Sequence, residues 1–399
     1  MKEERMGLFG GSLLWFGAAI SIAEIFTGAL LAPLGLSKGL VAILLGHVIG
    51  CALLYCVGLI GARSRMGAME STSMTFGRYG SVFFSVLNLL QLLGWTAVMI
   101  ISGAQAMNTS IGWANPQVWC IVIGFLIGIW ILVGLKNISK LNVVAVGALF
   151  VLSVILGAVV FTGNAVQVSP LTMSFGLALE LSIAMPVSWL PLISDYTKHA
   201  EKPRAFTLVS TLAYFVGSSF MYAIGLGAAI YIGHSDVVGI LSASGLGVAA
   251  LLIAVLSTVT TTYLDVYSAG ESVLNILKKA NSKVVGLLVC VIGTLMAMFV
   301  PIHQYEHFLY LIGSVFIPMA TIMIVDRWML KNEPSVSNVQ IKNTLLWIIG
   351  FIAYRILLTK APVIGSTLPV IALISVLSLI VGAVERLNKK VISSPSSRR

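Results

Sequence analysis

Charge is scarce in this chain. Only 10% of its 399 residues are Asp, Glu, Lys or Arg, while 58% are hydrophobic and the mean hydropathy is +1.01. Soluble domains carry about 25% charged residues, so a soluble globular fold is excluded. Cysteine is scarce too. Cys51, Cys56, Cys120 and Cys290 all lie in apolar stretches, with no CxxC pair and no adjacent His. Neither a disulfide framework nor a metal site is indicated; four small buried hydrophobes are. No HExxH, paired His or Ser/His arrangement lies in the apolar stretches, which argues against an enzyme and leaves no cofactor motif. Short alternating segments are also missing, which excludes a β-barrel.

Long apolar runs are what the chain has. Segments near 20 residues recur from end to end, each able to cross a hydrocarbon core of about 30 Å. The runs predict an all-α polytopic membrane protein with twelve spans: 9–33, 39–62, 81–108, 117–134, 141–163, 175–193, 205–233, 247–270, 284–301, 307–325, 344–359 and 367–384. The first is too long for a signal-peptide core and is read as retained. With both termini inside, 21 Lys and Arg fall in inner segments and only Lys38 and Lys360 in outer ones, Arg355 being left within a span. That asymmetry predicts a multi-pass inner (plasma) membrane protein with cytoplasmic termini. The net charge of +10 follows from it and does not indicate nucleic acid as a partner. No soluble domain is expected. The longest loop, 326–343, separates a core of residues 1–325 from two peripheral helices over 344–384, and 385–399 reads as a disordered cytoplasmic tail.

Glu24 is the costliest of the rare charges. It sits mid-span, and a carboxylate there costs about 2.5 to 3.5 kcal/mol on insertion scales. Ser21, Thr27 and Gly28 around it predict an interrupted helix, the arrangement by which secondary transporters place charge at mid-depth. The triplet Ser21-Ile22-Ala23 recurs as Ser182-Ile183-Ala184 in the sixth span, followed by Pro186 and Pro191. Each proline removes a helical N–H, and such backbone is tolerated in a bilayer only beside a protein cavity. The echo predicts a five-plus-five inverted repeat, 9–163 and 175–325. An ordinary proline kink is the alternative for the sixth span.

Two helix faces add to this. In the third span Asn88, Gln91, Trp95 and Ser102 share one face. Trp95 lies too deep for an interfacial belt, which leaves core packing or a platform on which a flat ligand stacks. In the eighth span Ala254, Ser257, Thr258, Thr261, Asp265 and Ser268 share a face. Oxygen-only ligands suit a hard cation such as Na+; helix–helix packing is the alternative for the hydroxyls. Glu180, near the outer end of the sixth span, and Arg355 receive no role.

These residues carry a resemblance. Gly61-Ala62-Arg63 with Phe76-Gly77-Arg78-Tyr79-Gly80-Ser81, Gly94-Trp95, and Ser194-Asp195-Tyr196-Thr197-Lys198 are similar to motifs of the nucleobase:cation symporter-1 family. The chain most resembles its cytosine-permease branch and the hydroxymethylpyrimidine-transporter relatives of the CytX type. The likeness implies a LeuT-like fold, two inverted five-helix repeats plus two extra helices. It implies a cation site on carbonyls near Ile20 and Ala23 and on Ala254, Ser257 and Thr258, to which the hydroxyl face adds Thr261. It implies substrate contacts at Glu24, Trp95 and Trp189 and at the position of Met99, to which the polar face of the third span adds Gln91. The chain departs from the family where some members carry Gln one turn beyond the stacking Trp, for Met99 stands there. Tyr263 stands where an Asn is often found, and a shifted register puts Asp265 there instead.

The two carboxylates, Glu24 and Asp265, beside an aromatic platform suit a flat ligand that donates hydrogen bonds. The expected cargo is a pyrimidine-type nucleobase, cytosine or hydroxymethylpyrimidine, imported with Na+ or H+ by alternating access. Glu24 either reads the aminopyrimidine edge or carries a coupling proton. An amino-acid or amine symporter on the same fold is the alternative, with freed N–H groups at the broken helices gripping a carboxylate.

Overall fold

Helices form along the apolar runs, and small residues decide how closely they approach. The computed structural model describes residues 6–111, 115–133, 135–162, 173–233, 247–299, 305–335 and 337–393. In chain order the helices are α1 (Leu8–Ala19), α2 (Ile22–Leu30), α3 (Leu36–Ser64), α4 (Ala68–Ser71), α5 (Ser73–Ile111), α6 (Pro116–Val133), α7 (Leu135–Phe161), α8 (Phe175–Ser188), α9 (Leu190–Thr197) and α10 (Pro203–Tyr231). They continue with α11 (Gly247–Ile276), α12 (Ser282–Phe299), α13 (Tyr305–Ile324), α14 (Ile341–Lys360) and α15 (Thr367–Ser393). Helix occupies part of each of the twelve expected intervals. Among the described residues, eight helices are long and apolar enough to cross a membrane, or nine if the bent α1–α2 pair is one span; two shorter apolar helices lie at Pro116–Leu132 and Val146–Phe161.

The first span breaks as its sequence predicts. α1 and α2 meet at 51°. Ser21 is extended (φ −134°, ψ 156°), and its hydroxyl accepts the Glu24 N–H at 3.3 Å, so it caps α2 and satisfies a donor that the break orphans. The sixth span is only kinked. Trp189, between α8 and α9, keeps α-region angles (φ −89°, ψ −7°) and donates its N–H to Pro186 O. Pro191 falls in the first turn of α9, where a missing N–H costs nothing. The strong interruption expected there is therefore a one-residue joint.

α10 crosses α2 with no room for side chains at the contact. A Cβ on Gly28 would lie 2.2 Å from Tyr222 O, and one on Gly225 1.9 Å from Ile25 O. Likewise Gly46 and Gly50 of α3 admit α8: a Cβ on Gly46 would meet Ser182 Cβ at 2.4 Å. Backbones this close are the membrane form of small-residue packing.

Two sequence readings change. The loop after α13 is not a free separator: Tyr79 N–H donates to Asn338 O, Ser335 N–H to Met74 O and Gln340 N–H to Phe76 O. Glu180, left without a role by the sequence, is an anchor inside the bundle. It is 1% exposed and accepts from Tyr354 OH (2.7 Å), Thr367 N (2.7 Å) and Thr367 Oγ1 (2.8 Å), which moors α14 and α15 to α8. Arg355 is exposed on α14, and α15 carries helix through residues 385–393, expected in the tail.

Candidate functional site

The α1–α2 break places Glu24 in the first turn of α2, where the helix N-terminus favours a carboxylate. Across from it, α5, α8 and α11 line a small cavity together with the α1–α2 break. Its walls include Ser21, Ala23 and Glu24 at the break, Trp95 and Met99 of α5, Trp189 at the α8–α9 joint, and Thr261 and Asp265 of α11. Five of the six expected substrate contacts therefore converge.

Gln91 is the sixth, and it is not among the lining residues. Its Nε2 donates to Ser188 O at 2.8 Å. Leu192 N–H bonds Trp189 O, so Gln91 supplies the donor for a carbonyl at the joint. Asn88 acts one turn away, donating to Pro191 O (3.1 Å) and Ser272 Oγ (2.9 Å). Both amides serve the backbone of the kinked span.

The aromatic residues form two groups. Trp95 meets Tyr305 and Phe308 edge to face, at centroid distances of 5.9 and 5.5 Å. Trp189 meets Trp15 and Tyr214 at 5.4 and 6.1 Å. Such contacts hold each indole in place while leaving a face for a ligand. Trp95 Nε1 is buried without a partner among the described residues.

The two carboxylates differ. Glu24 Oε1 accepts from Tyr214 OH at 2.8 Å and Oε2 from Ser218 Oγ at 2.7 Å, both on α10. Asp265, 4% exposed and on the cavity wall, makes no hydrogen bond or ion pair among the described residues. A buried carboxylate without a donor is costly, so its surroundings await one. Tyr263 is not among the residues that line the cavity.

Of the expected cation ligands, Ser257 Oγ and Ile20 O meet at 3.1 Å, linking α11 to the break. Thr261 opens on the cavity, and its Oγ1, like that of Thr258, lacks a partner among the described residues. Thr258 lies against Gly103 of α5. Ala23 O takes the Thr27 hydroxyl at 2.7 Å. Ala254 lies in α11, and its side chain falls outside the described residues. The donor set is oxygen-only, with two unpaired hydroxyls, and fits a hard monovalent cation.

Sequence reasoning missed Tyr214, Ser218 and His47. A Tyr, a Ser and a His on apolar helices read as core, and only the packing of α10 against α2, and of α3 against α10, brings them to Glu24.

A family described as permease for cytosine/purines, uracil, thiamine, allantoin matches residues 3–382. The cytosine permease of Escherichia coli K12 is 26% identical over 285 residues, 69% of this chain and 67% of that one. Among solved structures, the chain is similar to Mhp1, a nucleobase-cation-symport-1 family transporter, in a closed conformation with bromovinylhydantoin bound. The TM-score is 0.80 at 19% identity, covering 95% of this chain and 93% of that one. A Na+-coupled sialic acid symporter follows the same fold, with a TM-score of 0.67 at 14% identity over 96% and 89% of the two chains.

Proposed function

Because the chain belongs to the family of permeases for cytosine/purines, uracil, thiamine and allantoin, we propose that it imports an aminopyrimidine, cytosine or hydroxymethylpyrimidine, by cation-coupled alternating access. It is a multi-pass membrane transporter of nucleobase-type substrates and not an enzyme. The observation that supports the finer reading is the unpartnered Asp265 carboxylate in a cavity walled also by Trp95 and Trp189. An exocyclic amine and an adjacent ring N–H present the donors that Asp265 lacks. Glu24 keeps further lone pairs toward the cavity and reads the same edge. Met99 adds a soft apolar wall. Among the described residues no Lys or Arg bonds to either carboxylate, so no cationic side chain there offsets their repulsion of a substrate carboxylate. That disfavours an amino-acid cargo.

In this reading Na+ is held by the carbonyls of Ile20 and Ala23 and the hydroxyls of Ser257, Thr258 and Thr261, around Ala254. A proton as the coupling ion has its own support. Ser218 Oγ lies 2.7 Å from Glu24 Oε2 and 2.6 Å from His47 Nε2. One hydroxyl hydrogen cannot serve two acceptors, so either Glu24 or His47 presents a hydrogen to Ser218.

Binding to the purified protein tests the proposal, read by thermal shift with cytosine, hydroxymethylpyrimidine, thiamin, uracil and hydantoin, each with and without Na+. Aminopyrimidines should stabilise most, because binding to the folded state alone raises its stability. Na+ should add to that shift if it is the coupling ion. Stronger stabilisation by uracil or hydantoin would sink the aminopyrimidine reading.

A further inference from the structure

His47 has no place in the substrate or cation site, yet it is fully buried at the centre of α3. Both ring nitrogens are engaged. Nε2 lies 2.6 Å from Ser218 Oγ, whose oxygen also contacts Glu24 Oε2 at 2.7 Å. Nδ1 lies 2.9 Å from Ser182 Oγ on α8 and 2.9 Å from Ile43 O on its own helix. Ser182 in turn donates to Ile43 O at 2.9 Å. Tyr222 closes one side of the ring, edge to face at 4.8 Å.

One imidazole thus joins the two helices that the sequence echo pairs. Glu24 belongs to the broken first span and Ser182 to the kinked sixth, and each reaches His47 through a single hydroxyl or directly. The neighbours make room for this. Gly46, beside His47, lets α8 come close enough for Ser182 to reach the ring, and Gly50 does the same one turn on, where a Cβ would lie 3.0 Å from Ile183 O. A residue that only filled space would not need both nitrogens bonded to polar groups on two other helices. A buried network of this kind is strongly specifying when all its members are satisfied.

We propose that His47 is a positioning residue for substrate recognition: through Ser218 it fixes the Glu24 carboxylate at the cavity wall, and through Ser182 it sets that carboxylate relative to α8. The proposal rests on the reading that Glu24 faces the substrate. Tyr214 holds Oε1 independently, so loss of His47 frees one oxygen rather than the whole side chain. A ligand that uses the Glu24 edge feels the change; one that does not is indifferent.

The test compares His47→Leu with His47→Gln, whose amide keeps a donor and an acceptor. His47→Leu should lower the cytosine-to-uracil affinity ratio about tenfold, and His47→Gln should recover most of it. In a Glu24→Gln background the same His47→Leu change should move the ratio less than twofold. Equal losses for both pyrimidines, or the same loss without Glu24, would overturn the proposal. A second measurement needs no substrate. The infrared carboxyl band assigned to Glu24 by its absence in Glu24→Gln should shift in His47→Leu, and in His47→Met if His47→Leu does not fold. An unmoved band overturns the link. A wild type that binds neither pyrimidine overturns the substrate reading instead, and the carboxyl band still judges His47.

Discussion

Asp265 and Glu24 show how the same side-chain chemistry divides by surroundings. Glu24 has two hydroxyl donors from α10, whereas Asp265 has none among the described residues. A hydrogen bond to a charged group is worth about 1.5 to 3 kcal/mol, and more than that is lost when a buried charge is left alone. Asp265→Asn should therefore weaken cytosine binding about 10- to 100-fold while improving uracil relative to it, since an amide also donates. Titration calorimetry on the two ligands checks this; an unchanged preference would remove Asp265 from the reading of the base. Much of this site is legible in the sequence because charge and Trp are rare in apolar spans, so Glu24, Asp265 and Trp95 stand out. Gln91 stands out for the same reason, but its bond to Ser188 O is not legible there. His47, Tyr214 and Ser218 carry no local signal, since their partners are far along the chain.

At the scale of elements, helices are read from length and apolarity, but how a helix breaks is not. Ser21 leaves the helical region and caps the next segment, while Trp189 stays within it. Two prolines mark the sixth span more loudly than anything marks the first, yet the first bends more. A proline interrupts little where the lost N–H lies in a helix's first turn. Close crossings are equally silent, because 38 glycines hide the few that matter. Gly28 and Gly225 are two, where α2 and α10 touch backbone to backbone. Gly28→Ala and Gly225→Ala should each cost at least about 1 to 3 kcal/mol, the usual penalty of overpacking. Gly10→Ala, with open space around it, should be neutral. Thermal unfolding in detergent reads both; equal melting temperatures would contradict the crossing.

Across the whole molecule, the end of the cavity beyond Trp189 is closed by the motif that ends α9. Asp195 Oδ1 accepts Ala68 N–H at 2.8 Å, Thr197 Oγ1 donates to Gly58 O at 2.8 Å, and Lys198 pairs with Glu271 of α11 at 2.6 Å. Burial pulls the Lys198 pKa down, but the carboxylates of Glu271 and Asp195 more than offset it, so the ammonium is held above its ordinary range. A raised lysine pKa keeps Lys198 charged until pH rises past it, so the Lys198–Glu271 contact parts by movement and not by loss of the lysine charge. In the proposed alternating-access cycle α9 parts from α3, α4 and α11. Whether this movement carries an aminopyrimidine together with a cation is read by uptake of labelled cytosine into proteoliposomes under an imposed Na+ or H+ gradient. Coupled import gives accumulation above equilibrium with one of the two gradients, competed by hydroxymethylpyrimidine more strongly than by uracil. Equal filling with and without either gradient, or no competition by aminopyrimidines, would contradict it.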